Sequence, residues 1–459
     1  GLIVANLGTV ALAAGDAYEL QFDGQGALSN VRVTPATLNT LVENKQAIQA
    51  PGGFVIMSAQ AASRMQSAVV SNAGRIEATG LVSRAGRILL EATTKVLNSG
   101  LLSVNAGSDG SPAGNVQIKA PLIENSGTIS ATNLAAANTS GNNPAANLGH
   151  ISIEGEQFTQ TASGVLDVSA LNTSSGNVTL QVSDSIYISG SVLAISTMGS
   201  GQSANYVLGN AIGGQINLQA TRRIDFDGAV LDASGPDGAG RVHINATGAP
   251  ADSGNNTQPV HGVVAMANNT VMRVNSQRAQ AGRVEVEGDD ISLNTGTLIE
   301  AKGSTGGGTV LVGGDWQGSG TMRQATTVSM SADSTIDASA TDNGDGGKVV
   351  LWSDVHNANS VTTVNGSVYA KGGLNGGHGG EVETSGHALE LQGTVNAGAG
   401  GTWLIDPYDV VIGTTASGTT YSATYTPSAS SFIRASDIAS SLNGGTNVSI
   451  STGAAGSNT

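Results

Sequence analysis

A glycine followed by alternating apolar residues recurs along this chain, and no other feature limits the fold as much. It reads GGFVIMSA from Gly52, AGRILLEA from Ala85, AGNVQIKA from Ala113 and LGHISIEG from Leu148, then SGNVTLQV, GGQINLQA, AGRVHINA, AGRVEVEG, GGTVLVGG, GGKVVLWS, GGEVETSG and GGTWLIDP. These twelve copies lie between Gly53 and Gly401, with a mean spacing of roughly 32 residues, in the range of solenoids. A second pattern alternates with the first: GRIEATG at Gly74, GVLDVSA at Gly164, AVLDASG at Ala229, TLIEAKG at Thr297, STIDASA at Ser334 and SVYAKGG at Ser367. In the shortest units a third strand fits between them, as in QINLQA, RRIDFDG, AVLDASG and then the turn PDGAG.

Three short strands of period two, joined by Gly, Asn, Asp and Ser turns, describe one coil of a parallel β-helix. The expectation is an all-β chain, a parallel β-helix of about 12 coils and roughly 55 to 60 Å long at the usual strand spacing. Alternation assigns the faces. Val242 and Ile244 point inward with His243 and Asn245 outward, and Val284 and Val286 point inward while Glu285 and Glu287 face water. A narrow interior suits a chain with only 3% aromatic residues, because stacked aliphatic side chains fill it. Two short helices are expected outside the coils. One starts at Thr34-Pro35 and carries Leu38, Leu41 and Val42; the other starts at Ser436-Asp437-Ile438 and closes at Asn443-Gly444.

Charge excludes some functions. A formal charge of -15 without a basic run gives phosphates nothing to bind, so nucleic acid is set aside. The absence of cysteine removes disulfides, thiolate metal sites and thiol chemistry. The uncharged opening GLIVANLGTVALAAG lacks an initiator Met and a basic flank and is too short and interrupted to span a bilayer. The chain reads as a mature fragment cut at both ends.

Insertions between the strands are the expected places for binding. They fall at residues 133–148, 198–213, 247–262 and 313–323, and the candidate ligand-binding residues within them are Asn138, Asn142, Asn205, Tyr206, Asn255, Asn256 and His261. Asn-x-Ser/Thr sequons at Asn138 and Asn255 are as frequent as this composition produces by chance.

An acid pair offers the competing, catalytic reading. With Ile224 and Phe226 inside, Asp225 and Asp227 share the outer face about 6.6 Å apart at Cα, near the ~6.5 to 9.5 Å carboxyl separation of inverting glycosidases. The matching strand DDISLNTG places Ser292 and Asn294 at those positions, so no ladder of carboxylates continues, and Arg222 and Arg223 stand ready to pair with the acids. Coil decoration is therefore the preferred reading. Asp232, recurring as Asp337, reads as a turn residue that bonds nearby backbone. The six histidines show no ligand spacing, and Asp342, Asn343 and Asp345 in TDNGDGG read as a turn rather than a calcium loop. No cofactor and no catalytic residue is expected.

Three segments carry a family resemblance: GLIVANLGTVALAAGDAYELQFDGQG at the start, LVENKQAIQAPGGFVIMSAQAA at 41–62, and GGTWLIDPYDVVIG at 400–413. They resemble large exoproteins of the filamentous-haemagglutinin type, the TpsA partners of two-partner secretion in Gram-negative bacteria. The resemblance implies that 1–50 ends an amino-terminal secretion region, 51–399 is β-helical shaft, and 400–459 continues it around a WLIDPYDV motif. It further implies a secreted or surface-attached adhesin, exported through an outer-membrane TpsB-type β-barrel, folded outside as a right-handed β-helix, and attaching to host or biofilm polysaccharide or protein. A shaft for contact-dependent toxin delivery or haem-protein capture remains an alternative, and a β-helix polysaccharide lyase or hydrolase is the third reading.

Overall fold

The computed structural model describes residues 1–24, 28–63, 66–134, 148–198, 211–251, 258–413 and 431–452. They form a parallel β-helix. The chain divides into two compact units, Gly1–Gln219 with Ala229–Gly235, and Ala220–Gly228 with Pro236–Thr459.

In the first unit, strands Leu2–Val4, Ala47–Gln49, Arg75–Glu77, Leu101–Ser103, Thr128–Ser130, Val165–Asp167, Ser191–Leu193 and Val230–Asp232 stack in parallel as one sheet. Their central residues come into register as a column of Ile48, Ile76, Leu102, Ile129, Leu166, Val192 and Leu231. All are buried. The glycine-led strands stack likewise, through Phe54–Ala59, Arg87–Ala92, Asn115–Asn125, His150–Gln160 and Asn177–Ile188. The last three run unbroken along two sides of their coils.

At one corner of this unit the interior is polar. Asn44 donates to Asn72, Asn72 to Asn98 and Asn98 to Asn125, each at 2.8 Å, and Asn125 donates to Gln160 at 3.4 Å. Gln160 ends the ladder by donating to the carbonyls of Gly164 and Ser191. Every amide in the row is buried, and each satisfies its neighbour, as a buried polar group must.

In the second unit, strands Arg241–Ala246, Arg283–Glu287, Thr309–Val312, Lys348–Trp352, Glu381–Gly386 and Thr402–Pro407 stack in parallel. Val242, Val284, Val310, Val349, Val382 and Trp403 form an inner column. Trp403 fits because its indole N–H donates to Thr384 Oγ1 at 3.0 Å, which satisfies a group that would otherwise be buried unpaired. The second strands of these coils, in the same sheet, stack Ile224, Val264, Ile291 and Val328, and the third strands, in the other large sheet, stack Met272, Ile299, Ile336, Val368 and Val395. Three strands per coil and the inward positions of Ile224, Phe226, Val242 and Ile244 agree with the alternation.

The repeated glycine is required by contact. A Cβ on Gly114 would lie 1.9 Å from the carbonyl oxygen of Gly86, and one on Gly347 would lie 2.0 Å from that of Gly308. The same approach recurs at Gly176, Gly308 and Gly380, each on the glycine one coil back. Any side chain there would push the coils apart.

Three expectations are corrected. No helix forms at Thr34-Pro35. Thr34 ends strand Leu28–Thr34, which pairs antiparallel with Ala17–Phe22, and Thr40–Asn44 is a coil strand. The alternation of Val31 and Val33 outweighs the Thr-Pro signal: Val31 packs on Phe54 and Ile56, whereas Leu38 and Leu41 are exposed. The second helix exists as Ala435–Asn443, but Arg434 is its N-cap, its Nε donating to Asp437 Oδ2 at 2.8 Å. Glu285 does not face water; it is only 5% exposed, held between Arg241 Nε at 2.6 Å and Arg283 Nε at 2.5 Å. Among the described residues no helix is long and apolar enough to cross a membrane.

Candidate functional site

The insertion at 247–262, in the second unit, builds a cleft. The strand Arg241–Ala246 ends at a corner where Gly248 adopts φ +60°, a left-handed conformation that favours glycine. A Cβ there would also lie 2.8 Å from the Val260 carbonyl and 2.9 Å from Arg323 Nη1. Ala249 and Val260 then form an antiparallel pair, exchanging two backbone hydrogen bonds of 2.8 Å. Pro250 and Pro259 stiffen this pair because each fixes its own φ.

Two later coils supply polar groups. Asp289 accepts from the Gly262 N–H through Oδ2 at 2.7 Å and from Arg323 Nη2 through Oδ1. Arg323 also donates its backbone N–H to Glu287 Oε2 at 2.9 Å, and Glu287 Oε1 lies 2.7 Å from His243 Nε2. Burial opposes the charge on Glu287, but the His243 and Arg323 donors outweigh it and hold the carboxyl below its ordinary range. The outcome is a cleft of about 410 Å³ lined by Thr247, Ala249, Pro250, Pro259, Val260, His261, Asp289 and Arg323. It joins an apolar prolyl wall to a guanidinium–carboxylate pair. That chemistry can seat the C–H face of a ring while hydrogen-bonding hydroxyls at its edge.

Of the candidate loop residues, His261 lies in this cleft, its Nδ1 3.5 Å from Asp290 Oδ2. Asn138, Asn142, Asn205, Tyr206, Asn255 and Asn256 lie outside the described residues. Arg323 and Asp289 were not anticipated. Arg323 stands at the edge of the 313–323 insertion, whose position was legible but whose proximity to the 247–262 insertion was not.

Asp225 and Asp227 are not brought into a common site. Asp225 pairs with Arg223 at 2.5 Å, a partly exposed pair of the kind worth about 0 to 1 kcal/mol. Asp227 accepts from Asn268 Nδ2 at 2.5 Å. The positions in register with Asp225 on the following coils are Ala265, Ser292 and Ser329, so no acid lies opposite it there. The turn aspartates act as expected, Asp232 Oδ1 accepting from the Ser234 N–H at 2.9 Å and Asp337 Oδ1 from that of Ser339 at 3.0 Å. In the TDNGDGG turn, Asp342 accepts from Asn375 and Asp345 from the His378 N–H. Among the described residues, no three His, Asp or Glu side chains are grouped to hold a metal.

No family model matches the chain, and no curated protein matches it. A solved structure similar to it is the crystal structure of the HMW1 secretion domain from Haemophilus influenzae, at 17% identity and a TM-score of 0.46, covering 85% of this chain and 98% of that one.

Proposed function

We propose that the chain is shaft of a two-partner-secreted exoprotein and that it attaches, without reaction, to a cell-surface or biofilm polysaccharide through the 247–262 cleft. The cleft carries the reading: an apolar prolyl wall beside the Arg323–Asp289 pair, mounted on rigid coils, suits weak, orientation-specific binding of a sugar ring. The resemblance of residues 1–26, 41–62 and 400–413 to filamentous-haemagglutinin-type exoproteins supports export through a TpsB-type outer-membrane barrel, to the medium or the outer surface of a Gram-negative cell. Folding by coil addition suits such export, since each coil templates the next as the chain emerges. Repetition of modest sites on neighbouring chains would convert weak contacts into firm attachment.

The test is binding of the purified chain to an array of immobilised polysaccharides, repeated with Arg323→Gln and with residues 249–260 replaced by a short glycine linker. Binding that falls about tenfold in Arg323→Gln, as expected for losing one charge-assisted hydrogen bond, and vanishes in the linker variant, supports the reading. Absence of binding to every polysaccharide, or binding indifferent to both changes, overturns it.

A further inference from the structure

The outer face of one sheet in the second unit carries a cover of its own. Residues 313–324 leave strand Thr309–Val312 and fold back across it, making a single 3-10 turn at Trp316–Gly318. Trp316 and Met322 pack on Leu311, Val350, Trp352 and Val355. Trp352 Nε1 donates to Gln324 Oε1 at 3.2 Å, and Gln324 Nε2 donates to the Gly318 carbonyl at 3.1 Å. Beneath the turn lies Glu383, with no solvent exposure. Its Oε2 accepts the Gln317 N–H at 2.8 Å and its Oε1 accepts Ser385 Oγ at 2.9 Å. A carboxyl group has thus been placed under an apolar flap and bonded to the flap's backbone.

We propose that residues 313–324 form a pH-operated cover: protonated Glu383 keeps it shut, whereas ionised Glu383 draws in water, lifts the flap and exposes the apolar strip of Leu311, Val350 and Trp352.

The surrounding charges do not undo this. Lys348, one coil back, is engaged with Glu381 Oε2 at 2.9 Å and lies over the Trp316 ring at 4.9 Å. Asp406, one coil on, is itself buried and adds negative potential. Asp315 on the flap caps the Trp316 N–H at 2.7 Å. Burial, the largest influence, pushes Glu383 up to about 7, with Asp406 adding to it and the Gln317 and Ser385 donors and Lys348 opposing. A group whose closed-state pKa is raised favours closure fully below its open-state value of 4.5, and that contribution is lost as pH rises to about 7. If opening returns Glu383 to water, the closed-to-open ratio falls about 300-fold across that window, one factor of ten per pKa unit.

The experiment is hydrogen exchange of the Gln317, Gly318 and Ser319 amides in the full chain at pH 4 and pH 8. Rates are corrected for intrinsic exchange and referred to the Val382 amide in the underlying strand, in wild type and in Glu383→Gln. Glutamine keeps the acceptor for Gln317 but cannot ionise. The expected result is flap protection that falls by about two orders of magnitude in wild type and stays level in Glu383→Gln. Flap protection in wild type that tracks Val382 at both pH values overturns the proposal, without recourse to the variant. An equal fall in Glu383→Gln overturns it too.

Discussion

Asn98→Ala tests whether the buried amide ladder holds the first unit together. Asn98 is 2% exposed, receives Asn72 Nδ2 and donates to Asn125 Oδ1, both at 2.8 Å. Asn72 retains an alternative acceptor in the Leu101 carbonyl at 3.3 Å, so its loss is small. Asn125 Oδ1 is left facing a cavity with its donor removed, and an unsatisfied buried group costs about 1 to 3 kcal/mol. With the net worth of the bond to Asn125, near 1 kcal/mol, the expected destabilisation is about 2 to 4 kcal/mol. Because a solenoid need not unfold in one step, the readout is native-state hydrogen exchange at Val70, Val96 and Ile123, on the three coils concerned. The exposed Asn115→Ala on the same unit is the control. A loss below about 0.5 kcal/mol at all three amides, or one no larger than the control's, refutes the reasoning, since surface changes fall within that range.

Other outcomes follow from the same geometry. Trp352→Ala removes the centre of the cluster under the 313–324 flap and is expected to cost about 3 to 5 kcal/mol, read as loss of hydrogen-exchange protection confined to the second unit. Gly248→Ala forces a side chain into a left-handed backbone against Arg323 and the Val260 carbonyl, an expected cost of about 1 to 3 kcal/mol accompanied by weaker polysaccharide binding. Glu287, held below its ordinary range by His243 and Arg323, contributes stability that is present above pH 4.5 and lost as pH falls through its depressed value. Glu287→Gln should therefore flatten the acid limb of a urea-midpoint profile below pH 4.5, and an unchanged limb would count against the His243–Glu287 contact.

Much of this fold was legible because the repeat states it directly. Glycine, then alternating apolar residues, marks the strand start and the inward face, and the structure places Val242, Ile244, Ile224 and Phe226 accordingly. The Asn ladder had a readable signal as well, in the asparagines that close Thr40–Asn44, Ala68–Asn72, Lys95–Asn98 and Asn115–Asn125, each followed by a turn. The flap announced itself less plainly. In TVLV and KVVLW the outward positions Leu311, Val350 and Trp352 are apolar, a break in alternation that means both faces are covered. What covers them could not be read, because the partner is an insertion without periodicity. The same holds for the cleft: His261 was within reach of sequence reasoning, but its meeting with Asp289 and Arg323 depends on how far two loops from different coils fold back. At Thr34-Pro35 a local helix signal lost to pairing with Ala17–Phe22, a partner that capping rules do not consider.

The most direct test of the central claim, attachment without reaction, is reducing-end release by the full chain on every polysaccharide it binds, compared among wild type, Asp225→Asn and Asp227→Asn. The account predicts binding with no release above the no-protein blank in any of the three, because Asp225 is spent on Arg223 and Asp227 on Asn268. Release by wild type that disappears in either variant would contradict it and make that strand a catalytic one.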